Sequence, residues 1–413
     1  MNKVIFTIVA KNYFASAELL AKSLMNTNCG YDFYIVLADE VCEEISNRNH
    51  IGYKLLIANE LPIKDFQEMA FKYDVTEFAT SIKPYCIEYF MKSLNAQSVV
   101  YLDPDIYVYK SLDYLFDLLN EYSAIVTPHI LTSNNSSHDI EQSFLFSGTY
   151  NLGFFAVSNN DEGRRIVNWW KNKLKDYAFV DYYNGLYTDQ KWMNLVTTEF
   201  ENVCVLRDFG YNVAWWNFEE RNLSQVDGIP FVCQNGIVKP VVFFHFSGFK
   251  ADNMNTISKS NSYIQLDNKD EIRKVFDLYG SRLLQNDYNK LKSLTYSYST
   301  YDNGIVITRF QRRLFRAMNA KEKKFIYPFS TLEGSFYDLL KKNKLLVNSK
   351  DISVASETRN TISGFNRKDK ILKKLLRMTK KVLGIKHYEV LIRYLSHALE
   401  AEEQIFLITK GEK

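Results

Sequence analysis

Short apolar runs alternate with longer segments of helical periodicity through the first three-fifths of the chain. Val4–Val9 is apolar except for Thr7, a near-continuous run that marks a strand buried on both faces. Phe14, Leu19, Leu20 and Leu24 follow at helical spacing. Phe33–Leu37 and Lys54–Ile57 read as further strands and Thr80–Leu94 as a helix. Val99–Leu102, Asn151–Val157 and Val241–Phe244 complete the strand set. Strands alternating with helices predict an α/β fold.

Beyond residue 262 the pattern changes. Ser299–Ile307 carries Asn303-Gly304 between β-prone residues, which predicts a hairpin. Thr308–Met318 predicts a helix with Arg309, Arg312, Arg313 and Arg316 on one side. Ser349–Gly364 is polar and reads as a linker. In Arg367–Lys386, Ile371, Leu372, Leu375, Leu376, Thr379, Val382 and Leu383 form an apolar stripe against a Lys/Arg-rich face. Such a helix packs its stripe on a neighbour or lies peripherally on an anionic membrane. The expected division is 1–262, a mixed and mainly helical extension 263–348, and 349–413 with the linker and basic amphipathic helices.

Composition narrows the class. The 413 residues are 46% hydrophobic and 24% charged, as in soluble globular proteins. A net charge of +3 gives no reason to expect a nucleic-acid partner. Aromatic residues make up 15%, which suits sugar stacking as well as core packing. The five cysteines are widely spaced and lack a CxxC pair, which points to a reducing, cytoplasmic setting. The run after Lys3 has the look of a signal peptide, but Lys11 and Asn12 interrupt it, so it reads as the first strand. No run approaches the ~20 apolar residues of a membrane span. The expected location is cytoplasmic, with at most peripheral contact at the inner membrane face.

The first candidate chemistry is Asp103-Pro104-Asp105, between the apolar runs Ser98–Leu102 and Ile106–Tyr109. In an extended segment two carboxylates one residue apart point the same way. That is costly unless a cation sits between them. Pro104 predicts that the strand ends here, and strand carboxyl ends are where open α/β sheets bind ligands. The alternative is an acidic turn after a buried strand. His245-Phe246-Ser247-Gly248-Phe249-Lys250 adds an imidazole at a later strand end, a glycine for close phosphate approach and a compact cation. Two carboxylates and an imidazole suit Mn2+ better than Mg2+, which stays the alternative. Asp189-Gln190 reads either as a helix cap or as an acid–amide pair facing a sugar. Asn151-Leu152-Gly153 joins a polar side chain to a glycine where another group comes close. The pairs Trp169-Trp170 and Trp215-Trp216 read as packing.

Five strings in this order, Val9–Tyr13, Asp103–Asp105, Asn151–Gly153, Asp189-Gln190 and His245–Lys250, resemble a GT-A glycosyltransferase of the family 8 retaining type over residues 1–262. Thr80–Tyr85, Gly210–Asn217 and Arg221-Asn222-Leu223 are similar to bacterial surface-polysaccharide enzymes, lipopolysaccharide synthesis included. The resemblance implies a Rossmann-like domain with a mixed sheet and a nucleotide-sugar donor, most often a UDP-sugar. It implies a glycan or lipid-linked saccharide acceptor. Asp103, Asp105 and His245 would hold Mn2+, and Gly248 and Lys250 the diphosphate. Ala10, Asn12 and Tyr13 match the nucleotide loop, and Lys83 a basic residue facing the donor. Asn151 and Gly153 match the sugar-contacting loop, with Asp189 and Gln190 beside the donor sugar as the catalytic pair. Two departures stand out: Lys11 where an aspartate is frequent, and a shortened Gly248–Lys250 spacing with no Pro-Trp after it.

The implied reaction is sugar transfer with retention, the metal neutralising charge on the leaving diphosphate. Two other readings compete with it. A haloacid-dehalogenase-type phosphohydrolase shares a DxD after a strand but wants Thr or Val where Tyr107 stands. A catalytically silent glycan-binding or assembly module has no need to hold Asp103, Asp105, Asp189 and His245 together.

Overall fold

The computed structural model of the chain describes residues 2–27, 30–132, 138–254, 256–258, 261–265, 270–320, 324–347 and 365–408. The chain divides into two compact units. The first is Met1–Lys64 with Val75–Ser297, the second Asp65–Asp74 with Tyr298–Lys413.

The first unit is built on a seven-stranded sheet. Its strands are β1 (Lys3–Val9), β2 (Asp32–Leu37), β3 (Lys54–Ile57), β4 (Ser98–Leu102), β6 (Ala124–Val126), β7 (Phe154–Ser158) and β10 (Val203–Val205), in the order β10-β6-β7-β4-β1-β2-β3. β1 runs parallel to β2 and β4, while β7 is antiparallel between β4 and β6. This is the α/β architecture that the pattern predicts, and its sheet is mixed. Ile5 and Phe6 point to opposite faces and are both fully buried, so the sheet is covered on both sides.

The Val9–Tyr13, Asp103–Asp105 and Asn151–Gly153 segments lie at one end of the neighbouring strands β1, β4 and β7, while His245 and Asp189 lie in or just after short strands outside this sheet. β4 stops at Leu102, and Asp103-Pro104-Asp105 turns the chain, with Ile106 N–H donating to the Asp103 carbonyl at 3.1 Å. The two aspartates therefore sit in a turn rather than in the extended segment expected from period two. The short strand β5 (Ile106–Val108) then pairs antiparallel with β14 (Phe243–His245), setting His245 opposite Ile106. The meander β11 (Asn222–Val226), β12 (Ile229–Gln234), β13 (Ile237–Pro240) leads into β14. Its turns, Asp227-Gly228 and Asn235-Gly236, have positive φ at all four residues, as two-residue hairpin loops require. A further short pair, β8 (Val180–Asp181) with β9 (Leu186–Tyr187), precedes Asp189.

Some expected boundaries move. The Thr80–Leu94 helix is two helices, Val75–Ser81 and Lys83–Ser93, divided at Ile82, with Pro84 in the first turn of the second. Proline is tolerated there because a first-turn N–H has no helical partner. Asn151-Leu152-Gly153 forms a loop before β7 rather than the start of the strand.

In the second unit the helix Arg309–Asn319 is capped by Thr308, whose hydroxyl accepts from Gln311 N–H while Gln311 returns a bond to Thr308 N–H. Of its arginines Arg312 and Arg313 are buried, Arg316 is half-buried and Arg309 is exposed. Arg312 donates to the carbonyls of Phe71 (2.5 Å), Tyr73 (2.9 Å) and Ala70 (3.2 Å), which end the helix Phe66–Lys72. A cation placed there satisfies terminal carbonyls and the helix dipole together. The Asn303-Gly304 signal is realised as a turn closed by the single bridge Thr300–Val306, with Gly304 at φ +79°. The C-terminal helix Phe365–Ala398 is interrupted at Gly384, φ +70° and ψ 166°. The linker Ser349–Gly364 lies outside the described residues, as does Cys29; Cys42, Cys86, Cys204 and Cys233 are free thiols. Among the described residues no helix is long and apolar enough to cross a membrane.

Candidate active site

The turn after β4, the end of β14 and the loop before β7 meet at a cavity of about 850 Å³ in the first unit. Tyr13, Lys83, Asp103, Asp105, Asn151, Gly153, Asp189, Gln190, His245 and Gly248 all line it. Ala10, Asn12 and Lys250 are not among its lining residues. Ala10 is buried at the end of β1, Asn12 lies in the turn Lys11–Tyr13, and Lys250 is exposed beyond Gly248.

Backbone pairing explains the convergence. Phe246 N–H donates to the Asp105 carbonyl (2.8 Å), and Asp103 N–H to the Gly153 carbonyl (2.7 Å). His245 N–H donates to the carbonyl of Val213 (2.8 Å), in the Gly210–Asn217 string. One ligand atom each from Asp103, Asp105 and His245 falls within 4.8 Å of the others. His245 Nε2 lies 3.1 Å from Asp105 Oδ1 and 3.7 Å from Asp103 Oδ2. Burial alone would lower the His245 pKa, but the charges of Asp105 and Asp103 reverse this and raise it. The pull of two carboxylates on a proton at Nε2 is the pull they would exert on a divalent cation.

Gly153 has a steric reason. A Cβ there would stand 2.4 Å from His245 Cε1 and 2.8 Å from Asn151 Oδ1. The group that comes close to this glycine is therefore the His245 imidazole. Gly248 lies at φ +75°, a conformation that side chains disfavour.

Lys83 and Asp189 form the floor. The Lys83 ammonium, 2% exposed, lies 2.8 Å from Asp189 Oδ2 and 3.8 Å from Asp103 Oδ1. It also donates to the Leu152 carbonyl (2.8 Å) and sits 4.1 Å from the Tyr101 ring centroid. Burial raises the Asp189 pKa, and Lys83 opposes that rise. Asp189 Oδ1 accepts from the Thr188 hydroxyl (3.1 Å). Gln190 uses both ends of its amide: Oε1 accepts from Leu152 N–H (3.2 Å) and Nε2 donates to the Ser147 carbonyl (2.9 Å). Tyr101 donates its hydroxyl to Asp103 Oδ1 at 2.5 Å.

His129 and Asp39 belong to no sequence motif, and Asn212 lies inside the Gly210–Asn217 string. His129 lines the cavity, stacked on Phe144 with centroids 4.4 Å apart. Burial lowers its pKa to about 4. Asn212, at φ +50°, donates to Thr127 (2.8 Å) and Asn151 (3.1 Å). Asp39 lies against the first loop: its carboxylate accepts from Lys11 N–H (3.3 Å) and Ser297 N–H (3.0 Å) and pairs with the Lys11 ammonium at 3.6 Å. An acidic group thus stands beside that loop although its own sequence carries lysine.

No family model matches the chain. It is 24% identical over 274 residues to the uncharacterized protein YfnF of Bacillus subtilis (strain 168), covering 65% of this chain and 88% of that one. It is 23% identical over 251 residues to YfnD of the same organism, also uncharacterized, covering 59% and 76%. Among solved structures it is similar to galactosyltransferase LgtC in complex with donor and acceptor sugar analogs, at 15% identity and TM-score 0.43, covering 68% of this chain and 95% of that one. It is also similar to the glycosyltransferase GlyE of Streptococcus pneumoniae TIGR4, at 14% identity and TM-score 0.41, covering 73% and 67%. Mouse xyloside xylosyltransferase 1 aligns at 15% identity and TM-score 0.40, covering 59% and 97%.

Proposed function

We propose that this chain is a metal-dependent GT-A glycosyltransferase. It moves a sugar, with retention, from a nucleotide-sugar (a UDP-sugar by preference) to a glycan or lipid-linked saccharide acceptor. The observation that carries this reading is the Asp103–Asp105–His245 cluster on a cavity that also holds Asp189 and Gln190. Two half-buried carboxylates and a buried imidazole fit Mn2+, with Mg2+ the alternative. Bound there, the cation supplies Lewis-acid stabilisation of the departing diphosphate.

The chain's own residues do the rest. Gly248 lets the backbone approach the phosphates, and Lys250, close by in sequence, offers a positive charge to their outer side. Tyr13, with Ala10 and Asn12 behind it, offers the nucleoside a surface at the end of β1. Lys83 holds Asp189 as a carboxylate below the sugar position. Asp189 is 2% exposed, and its oxygens face Lys83 and Thr188. A carboxylate held in this way steadies the positive charge that grows on the sugar and is poorly free to attack it. This favours same-face transfer, in which the acceptor hydroxyl gives its proton to a leaving-group phosphate oxygen. Gln190 positions the sugar-facing Leu152 loop through its bond to Leu152 N–H.

Hydrolysis and transfer should be assayed over a panel of nucleotide-sugars with and without EDTA. We expect turnover of at least one donor that EDTA abolishes and Mn2+ restores. In the same assay Asp105→Asn should lose at least two orders of magnitude while its circular dichroism and Tm stay unchanged. Near-normal Mn2+-dependent turnover in that variant would remove the metal assignment. Saturable binding of UDP and Mn2+ with no turnover of any donor would favour a silent module.

A further inference from the structure

His245 has two ring nitrogens, and only Nε2 faces Asp103 and Asp105. Nδ1 faces Asn151 Oδ1 at 3.2 Å. The orientation of that amide is set by unambiguous partners. Gly153 N–H, a donor only, points at Asn151 Oδ1 (3.2 Å). On the opposite side Asn151 Nδ2 meets His129 Nε2 at 3.2 Å. The His129 Nδ1 lies 3.0 Å from the Thr149 carbonyl, an acceptor only, so Nδ1 carries the His129 proton. A neutral ring donating from Nδ1 accepts at Nε2, and His129 is held neutral by burial. The bonds therefore run in one direction: His129 accepts from Asn151, and Asn151 accepts from His245.

We infer that His129 and Asn151 are positioning residues that keep the fixed proton of His245 on Nδ1, leaving Nε2 as the nitrogen that exchanges a proton for a metal. That use of Nε2 rests on the metal site proposed above. The device answers a specific problem. Asp105 Oδ1, 3.1 Å from Nε2, attracts a proton to the nitrogen that must be bare for ligation. Without an acceptor at Nδ1, a neutral ring would place its one proton against Asp105 and close the lone pair. A metal-ligating histidine usually donates its other N–H to an outer acceptor, and losing that acceptor costs about 10–100-fold in affinity. The Asn151 oxygen already takes bonds from Gly153, Asn212 and His245, leaving one amide hydrogen for a ligand.

The test combines Mn2+ affinity, from the EPR signal of the free ion, with ring N–H resonances of protein labelled with 15N-histidine. The spectra are recorded metal-free and with Mg2+. In the wild type we expect a protected Nδ1–H for both His129 and His245. Asn151→Leu should lose the His245 resonance and weaken Mn2+ binding about 10–100-fold. His129→Phe keeps the stacked ring but removes the acceptor, so it should bind Mn2+ more weakly. His129→Gln keeps an acceptor and should recover most of the affinity. A packing role alone predicts the reverse order, Phe tolerated and Gln not, and that result would overturn the part given to His129. An unchanged His245 resonance or Mn2+ affinity in folded Asn151→Leu overturns the whole inference. The resonances need no metal, so a wild type that fails to bind Mn2+ refutes the metal site while the spectra still decide the proton.

Discussion

At the scale of single residues, polar groups around the cavity are fixed by sterics and by charge. Gly153 is the clearest steric case, because a methyl group would overlap the His245 ring. Gly153→Ala should therefore shift His245 and weaken Mn2+ binding at least tenfold with the chain still folded. A variant that binds Mn2+ like the wild type would show that the ring has room to move. His129 carries a pH signature. Its folded pKa of about 4 lies below the ordinary 6.5 of the unfolded chain. Below pH 6.5 the unfolded state takes up a proton that the folded state refuses, so stability is lost as pH falls, until the folded ring titrates near 4. That gap corresponds to about 3 kcal/mol. His245 runs the other way, its raised pKa adding stability at low pH. The informative quantity is thus the difference between wild type and His129→Phe in urea unfolding at pH 7.5 and pH 5. The variant should lose less stability on acidification; an equal loss would mean that His129 titrates normally in the fold. His129 itself was not legible in the sequence. One histidine after β6 has no spacing to reveal it, and its partners arrive from Phe144, the Thr149–Gly153 loop and Trp216.

Elements were more legible where periodicity was long. β1 and β2 fall where their apolar runs predict them, and the capped helix Arg309–Asn319 matches Thr308–Met318 closely. Short elements were less so. Asp227-Gly228 and Asn235-Gly236 are ordinary hairpin signals, yet the polar alternation of β11 and β13 around them hid the meander. The adjacency of Asp103 and Asp105 was expected from strand geometry and is instead produced by a turn closed across Pro104. The C-terminal helix leaves its apolar residues exposed. Ile371, Leu372, Leu375, Met378 and Val382 are each more than half exposed, with Lys373, Lys374, Arg377, Lys380 and Lys381 between them in sequence. An apolar stripe beside many cations complements an anionic bilayer surface. The full chain should co-sediment with phosphatidylglycerol vesicles at low salt and with neutral vesicles much less. Leu372→Glu with Leu375→Glu should release it. Unchanged sedimentation in the double variant would clear this helix as the anchor, and concentration-dependent dimerisation lost in the same variant would assign the stripe to a second copy.

For the whole molecule, the residues assigned to the donor site lie in the first compact unit, on segments from the first loop to Lys250. Binding there couples β4, β14 and the Asn151–Gly153 loop, which are joined by backbone bonds from Asp103 to Gly153 and from Phe246 to Asp105. A ligand that binds only the folded state stabilises it by about 2.7 kcal/mol at a hundred times its Kd. For a unit of this size that is a rise in Tm of roughly 4–5 °C. UDP and Mn2+ together should produce such a rise, and each alone a smaller one, because diphosphate and cation complete one another's coordination. Asp105→Asn should abolish the joint effect and leave the metal-free Tm near that of the wild type, since removing one of two adjacent carboxylates relieves repulsion. Slower hydrogen exchange around β4, β5 and β14 on adding both ligands would place the effect at the cavity. Stabilisation by UDP that is indifferent to EDTA, or protection confined to residues after Tyr298, would contradict a metal-held diphosphate at Asp103 and Asp105.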